Sequence, residues 1–538
     1  MKKVRTRLAA LLLASLLLIL TACGSSGSSA SGGASSTGSA GTSPGGGPGK
    51  DVAIATGESL ISLDPLNYKA GNTDQPLSLT VFESLVWPDR KGGYFPQLAT
   101  EWTHNDAGDE WTFKLRDDVY FHNGDHFTAK DVVATYTRCL EQKKELSTAV
   151  ENWADLKSVE AIDEYTVKIT TDAPLASFLK SVAFTPIYGA DAYAEYGQDL
   201  FTNGRMYGTG PWIFVEWIDG QHVKLQKNPD YWNKEYDSYY DTLTVRFIKE
   251  PSSAVSAHLS GTVQAYVTQG GFDSDLLPLY DKAQDRTQVL QQKDGTFAYF
   301  QFHMNQGSIF NDEKIREAFD LAIPRQTVID QVMGGGYMVN SCFIDGCVGY
   351  DSSIPVYEYD PDKAKQLLAE SSYQGEPITL LTSTGFAKFQ DILLVASEEL
   401  NAVGFNTKVE TVEPATFSSR RSTGDYDIFL TLDMHTGGDP AKHINLKLLG
   451  DTQKHEYNSP EFYDLCRAIN REMDSAKRLA LISQLTQLMR REHAPTLTAF
   501  QYKSCQAIDY GIKGIEIYPD GTYMYKYIDY DPSLVPAK

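Results

Sequence analysis

The chain has 538 residues, 42% of them hydrophobic and 22% charged, with a formal net charge of −22. That composition belongs to a globular protein, and the length calls for two or three domains rather than a single core. The acidic balance argues against nucleic acid and anionic lipid surfaces as partners.

The chain opens with Lys2, Lys3, Arg5 and Arg7, followed by an apolar run from Leu8 to Leu20. These are the parts of a secretory signal. The run falls short of the about 20 apolar residues a helix needs to span a bilayer. Thr21-Ala22-Cys23-Gly24 then resembles a bacterial lipoprotein signal, with a cysteine at the point of cleavage. The resemblance implies removal of residues 1–22, diacylation of the Cys23 thiol and stable anchoring on the outer face of the cell membrane. The alternative is an ordinary signal peptide with an incidental cysteine. Residues 23–50 are almost wholly Ser, Gly, Ala, Thr and Pro. They cannot bury a core, and they form a tether with a reach on the order of 25–30 Å.

Val52–Ala55 is the first predicted strand, and Asp64-Pro65 breaks the chain into a loop. Leu77, Val81 and Leu85 stand at helical spacing. Trp111, Phe113 and Leu115 alternate with Thr112, Lys114 and Arg116, as a half-buried strand requires. Thr128-Ala-Lys-Asp131 is a capping box that opens a helix through Tyr136 and Leu140. Short strands follow at 161–162 and 165–169, then Gly208-Thr-Gly210 before strands at 213–217, 223–226, 243–248 and 263–267. From about Thr296 the texture turns helical: Ile315 to Ala322, Pro324 to Met333 stopped by Gly334-Gly335-Gly336, and a helix capped by Asp360-Pro361. Strands at 378–381, 407–412 and 426–430 flank a helix from Ile392 to Val403 that Gly404 ends. This strand–helix–strand rhythm predicts an α/β lobe around a central sheet. Two helices, opened by Ser459-Pro460 and running through Met489, complete it.

Chemistry is sparse in this pattern. No HExxH pair, Walker loop or dinucleotide fingerprint occurs, and no His pair stands at metal-ligand spacing on one helix. The expectation is a protein that is not an enzyme and needs no cofactor or metal. Of the six cysteines, Cys342 and Cys347 are the only close pair. An exported compartment permits a small loop disulfide between them. Cys466 falls on the apolar face of a helix.

A series of phrases in fixed order now carries a resemblance. Pro96-Gln-Leu-Ala-Thr-Glu-Trp102, Trp111-Thr-Phe-Lys-Leu-Arg116, Val119-Tyr-Phe-His-Asn-Gly124, Thr128-Ala-Lys-Asp-Val132, Gly208-Thr-Gly-Pro-Trp212, Lys227-Asn-Pro-Asp-Tyr-Trp232, Ile315-Arg-Glu-Ala-Phe319 and Tyr359-Asp-Pro-Asp-Lys-Ala364 resemble the extracellular solute-binding proteins of family 5, the peptide/nickel transporter group. The resemblance covers about Val52 to Tyr518. It implies an α/β, two-lobed periplasmic-binding-protein clamp (type II-like, cluster C) with an extra inserted β-rich domain. Lobe I would comprise residues 51–80, 205–294 and 496–538, the inserted domain II residues 81–204, and lobe III residues 295–495. A monomer would engulf an oligo- or dipeptide between its lobes and pass it to an ABC permease with its separate ATPase. A nickel chelate or an oligosaccharide in the same fold is the first alternative, and a surface-anchored hydrolase the second.

The resemblance also nominates ligand-binding residues. Thr268 and Gln269 match a loop that touches ligand in relatives, and Tyr502 lies near a hinge crossing. In the loop Asp433-Met-His-Thr-Gly-Gly-Asp-Pro440, the carboxylate that takes a peptide amine falls on Thr436, a departure from the family pattern. Asp433, His435 or Asp439 could substitute, or the ligand could lack a free amine. Arg421 sits where some relatives hold a carboxylate, and its other reading is a solvated arginine beside Arg420 and Asp425. His435 is the residue suited to a metal chelate.

Overall fold

The computed structural model describes residues 49–68, 73–89, 93–202, 204–386, 388–435, 438–449, 457–493, 496–518 and 522–536. Cys23, the tether and Thr436 lie outside the described residues. Gly49–Lys538 forms one compact unit. Its main strands in chain order are β1 (Asp51–Thr56), β2 (Ala99–His104), β3 (Glu110–Leu115), β4 (Leu156–Asp163), β5 (Thr166–Thr171), β6 (Trp212–Ile218), β7 (His222–Lys227), β8 (Thr242–Phe247), β9 (Ala265–Tyr266), β10 (Thr287–Phe302), β11 (Pro377–Ser383), β12 (Asn406–Val412), β13 (Ile428–Met434) and β14 (Thr496–Asp509).

Ten of them form one mixed sheet in the order β12-β11-β13-β10-β14-β9-β1-β8-β7-β6. On one side β1 runs parallel to both β8 and β9, and on the other β11 runs parallel to β12 and β13. Parallel strands need crossover connections, and Phe389–Val403 supplies one between β11 and β12. Gly404 ends that helix in the left-handed region at φ 115°, where glycine carries no Cβ penalty. β2 to β5 form a separate antiparallel sheet in the order β2-β3-β5-β4. Their inward residues Trp111, Phe113, Val167 and Ile169 are buried, as the alternation predicts.

Two large apolar cores divide along the sheet. One gathers Ile54, Phe113, Trp153, Trp212, Val245 and Tyr525, so the four-stranded sheet shares it with the β1 side. The other gathers Phe300, Phe319, Leu380, Phe429, Ile469 and Leu485. Among the described residues, only β10 and β14 run through both halves. Thr287–Lys293 pairs with Asp509–Lys503 on the β1 side, Phe297–Gln301 pairs with Gln501–Thr496 on the β13 side, and the register shifts between Lys293 and Phe297. Asp294-Gly295 falls within β10 at this irregularity. Among the described residues no helix is long and apolar enough to cross a membrane.

The capping box works as predicted: the Thr128 N–H donates to Asp131 Oδ2 at 2.8 Å, opening the helix Ala129–Glu141. The helix predicted to reach Leu85 stops at Val81, where Phe82 turns extended (φ −100°, ψ 163°). The turn carries Glu83 into the core, where its carboxylate accepts from Thr209 Oγ1 (2.9 Å), Tyr231 Oη (2.8 Å), Trp232 Nε1 (2.7 Å) and Lys526 Nζ (2.6 Å). Glu83 and Lys526 are 0% and 1% exposed, so the charge is held by a complete set of internal donors. The phrases Gly208–Trp212 and Lys227–Trp232 meet at this carboxylate. Cys342 and Cys347 are separate buried thiols, so the disulfide is not formed.

Candidate ligand-binding cleft

Beside the register shift in β10 and β14 lies a cavity of about 600 Å³, within the usual range for small-ligand sites. The β1 side contributes Glu58 and the loop Gln269–Ser274, which follows β9. The crossing strands contribute Thr296, Tyr502 and Lys503, and the far half adds Met333, Gly335, Phe386, Lys388, Phe389, Leu432 and Met434. The lining therefore comes from both halves of the sheet. The loop after β9 lies tight on β14 because Gly271 (φ +69°) has no side chain; a Cβ there would come within 2.4 Å of the Cys505 backbone nitrogen.

Polar contacts bridge the cleft from one half to the other. Lys388 Nζ lies 2.8 Å from Asp273 Oδ2 and 3.1 Å from Asp275 Oδ2. Ser274 Oγ donates to the Gly334 carbonyl at 2.8 Å. Burial opposes the Lys388 charge, but the hydrogen bonds to Asp273 and Asp275 outweigh it and raise the ammonium pKa. With Lys388 and Asp273 taken, Glu58 and Lys503 are the charged groups of the lining that form no ion pair among the described residues. The cleft thus offers one carboxylate and one ammonium between aromatic walls.

Of the residues nominated from sequence, Gln269 and Tyr502 are brought together on the cleft wall. Gln269 Nε2 reaches 3.7 Å from Met434 Sδ across the cleft, and the Tyr502 ring leans on Phe500 at 5.3 Å. Thr268 sits just behind them: its Oγ1 accepts the Gly57 N–H at 3.2 Å, and the Gln506 side-chain amide holds its backbone N–H and carbonyl at 3.0 and 2.8 Å.

The remaining described candidates, Arg421, Asp433, His435 and Asp439, lie within the β13 half, away from the lining. Leu432 and Met434 face the cavity, so strand alternation turns Asp433 to the opposite face. Burial pushes the Asp433 carboxyl up, but its 2.6 Å hydrogen bond to His443 Nδ1, with His443, Lys447 and Lys442 nearby, holds it well below the usual range. His435 is fully buried, its Nε2–H donating to the Cys342 carbonyl at 2.5 Å and its ring beside Phe297 and Phe343. Burial, with His443 close by, pushes its pKa down to about 4, so the ring is neutral at neutral pH. Asp439 is held by Arg478 at 2.6 and 2.9 Å. The Arg421 guanidinium lies over Phe429 and Phe417, 4.9 and 5.3 Å from the ring centres. Among the described residues no group of three or more His, Cys, Asp or Glu is placed to hold a metal.

Sequence reasoning missed Glu58, Asp273, Lys388 and Lys503. Lys503 stands on β14, where alternation alone would turn it away from the face of Tyr502, and the others stand on loops whose neighbours in space are remote in sequence.

A two-lobed α/β body with a cleft at its strand crossings is the architecture of a solute-binding protein. The ABC transporter-associated periplasmic binding protein DppA of Helicobacter pylori, solved in complex with the peptide STSA, superposes with a TM-score of 0.73 at 23% identity, over 89% of this chain and 98% of its own. Residues 93–454 match the bacterial extracellular solute-binding proteins, family 5, and the chain belongs to that family. A dipeptide-binding protein of Pseudomonas aeruginosa is 26% identical over 495 residues, 86% of this chain and 91% of its own length. The oligopeptide-binding protein AppA of Bacillus subtilis is 29% identical over 394 residues, 67% of this chain and 69% of its own.

Proposed function

We propose that this chain captures short peptides in the cleft between the two halves of its sheet and hands them, intact, to the permease of an ATP-driven importer. The cleft itself carries this reading: one carboxylate and one ammonium without an ion pair among the described residues, together with aromatic walls, suit an extended zwitterion with apolar side chains. The peptide-binding relatives in the same family support it. Residues 51–80, 205–294 and 496–538 would form lobe I, 81–204 the inserted domain and 295–495 lobe III. Only two strands cross between the halves of the sheet, so bending at their irregular register near Lys293–Phe297 would open and close the cleft. Closure strips water from the solute and replaces it with fixed protein partners. Lipid on Cys23 and the tether that follows would keep the body beside its permease on the outer membrane face.

A thermal-shift screen of the protein against short peptides, nickel–histidine chelates and oligosaccharides tests this. A peptide pool at about 100 times its Kd should stabilise the fold by roughly 2.7 kcal/mol. A shift with chelates or sugars and none with peptides overturns the peptide assignment, and turnover of a peptide or glycan overturns the binding reading.

A further inference from the structure

We propose that the Lys503 ammonium is the anion receptor of the cleft, taking a carboxylate of the bound solute; this rests on the peptide reading above, in which that group is the C-terminal carboxylate. Lys503 stands on β14 at the crossing and lines the cavity. Directly opposite it in the register is Lys293 of β10. Like charges facing each other across a strand pair destabilise the sheet unless each finds a counter-charge. Lys293 has one: its ammonium pairs with Asp345 and lies 5.2 Å from the Tyr337 ring centre. Lys503 forms no ion pair among the described residues, in a chain with 70 acidic and 48 basic side chains. The nearby cavity acid, Asp273, is already engaged by Lys388.

The backbone beside it is shaped to this side chain. Gly335, with φ +144°, lies against the Lys503 stem; a Cβ there would come within 3.3 Å of Cδ and 3.9 Å of Nζ. A glycine at this point lets the ammonium lie along the wall rather than be pushed off it. As the cleft closes and loses water, the attraction between this ammonium and a carboxylate strengthens with the falling local dielectric. Arg421, the sequence-based candidate for the same task, lies over Phe417 and Phe429 outside the lining.

The test is calorimetric titration of the full chain and of Lys503→Met with a mixed tripeptide pool, supplied once as free acids and once as C-terminal amides. Wild type should bind the free acids roughly 10- to 100-fold more tightly than the amides. Lys503→Met should lose that preference, with its amide affinity close to that of wild type, and Lys503→Arg should restore part of it. Should Lys503→Met fail to fold, Lys503→Gln and the acid-to-amide comparison on wild type carry the test. Equal wild-type affinity for acids and amides, or full acid affinity in the folded variant, overturns the proposal while leaving peptide binding intact. Binding of neither pool overturns both.

Discussion

Removing the Lys526 ammonium should cost a large share of the stability of the β1 half. Lys526 supplies the only cation among the four donors on Glu83, at 2.6 Å, and both side chains are buried. In Lys526→Met the Glu83 carboxylate keeps Thr209, Tyr231 and Trp232 but loses its counter-charge, and its desolvation stays uncompensated. Stripping one partner from a buried ion pair costs about 3–5 kcal/mol, against a total stability of about 5–15 kcal/mol for a native protein. With an m-value of about 3 kcal/mol/M, the urea midpoint should fall by roughly 1–1.7 M. Replacing both partners, Glu83→Gln with Lys526→Met, removes the stranded charge. The double variant should therefore lose less than the sum of the single losses, by about 1–3 kcal/mol. Urea unfolding followed by tryptophan fluorescence reads all four proteins, since Trp232 donates to this carboxylate and Trp212 to the Lys526 carbonyl. A loss below about 1 kcal/mol in Lys526→Met, or additive losses in the double variant, would refute the reasoning.

Asp275→Asn breaks one of the two Lys388 ion pairs without touching the cavity lining. Because such a partly exposed pair contributes about 0.2–1 kcal/mol, peptide affinity should weaken about two- to fivefold at low salt and converge with wild type in high salt. An unchanged Kd at low salt denies the cross-cleft contact a role in closure. Folding depresses the His435 pKa from 6.5 to about 4, so the unfolded chain binds more protons between those values. Stability contributed by neutral His435 is complete above pH 6.5 and falls as the pH drops towards 4, by roughly 3 kcal/mol in all. The variant His435→Gln should show a correspondingly flatter acid dependence of its urea midpoint, and an identical slope would reject the assignment. Cys23→Ala should release the protein from the cell surface while leaving peptide affinity unchanged. Retention on the membrane with an unacylated residue 23 would overturn the anchoring account.

Local signals carried well into the fold. The capping box at Thr128–Asp131, the glycine stop at Gly404 and the alternation of Trp111, Phe113 and Leu115 all act through neighbours a few residues away, so their geometry is legible in the chain. Gly208 likewise permits close approach: a Cβ there would lie 1.9 Å from the Val81 carbonyl oxygen. The long strands β10 and β14 were not anticipated, because the pairing that holds each of them comes from about 200 residues away. The helix end at Val81 was misplaced for the same reason, since Glu83 is drawn inward by partners 126 to 443 residues distant. At the cleft, two residues nominated by family resemblance line the cavity, Tyr502 on the crossing strand β14 and Gln269 on the loop after β9. The contacts of Asp433 with His443 and of Asp439 with Arg478 become evident only in three dimensions.

Native mass spectrometry of the protein mixed with a pool of two- to five-residue peptides tests the central claim most directly. The account predicts one intact peptide bound per chain, released unchanged on unfolding. A spectrum with no bound peptide, or with cleaved peptides accumulating in solution, would contradict it.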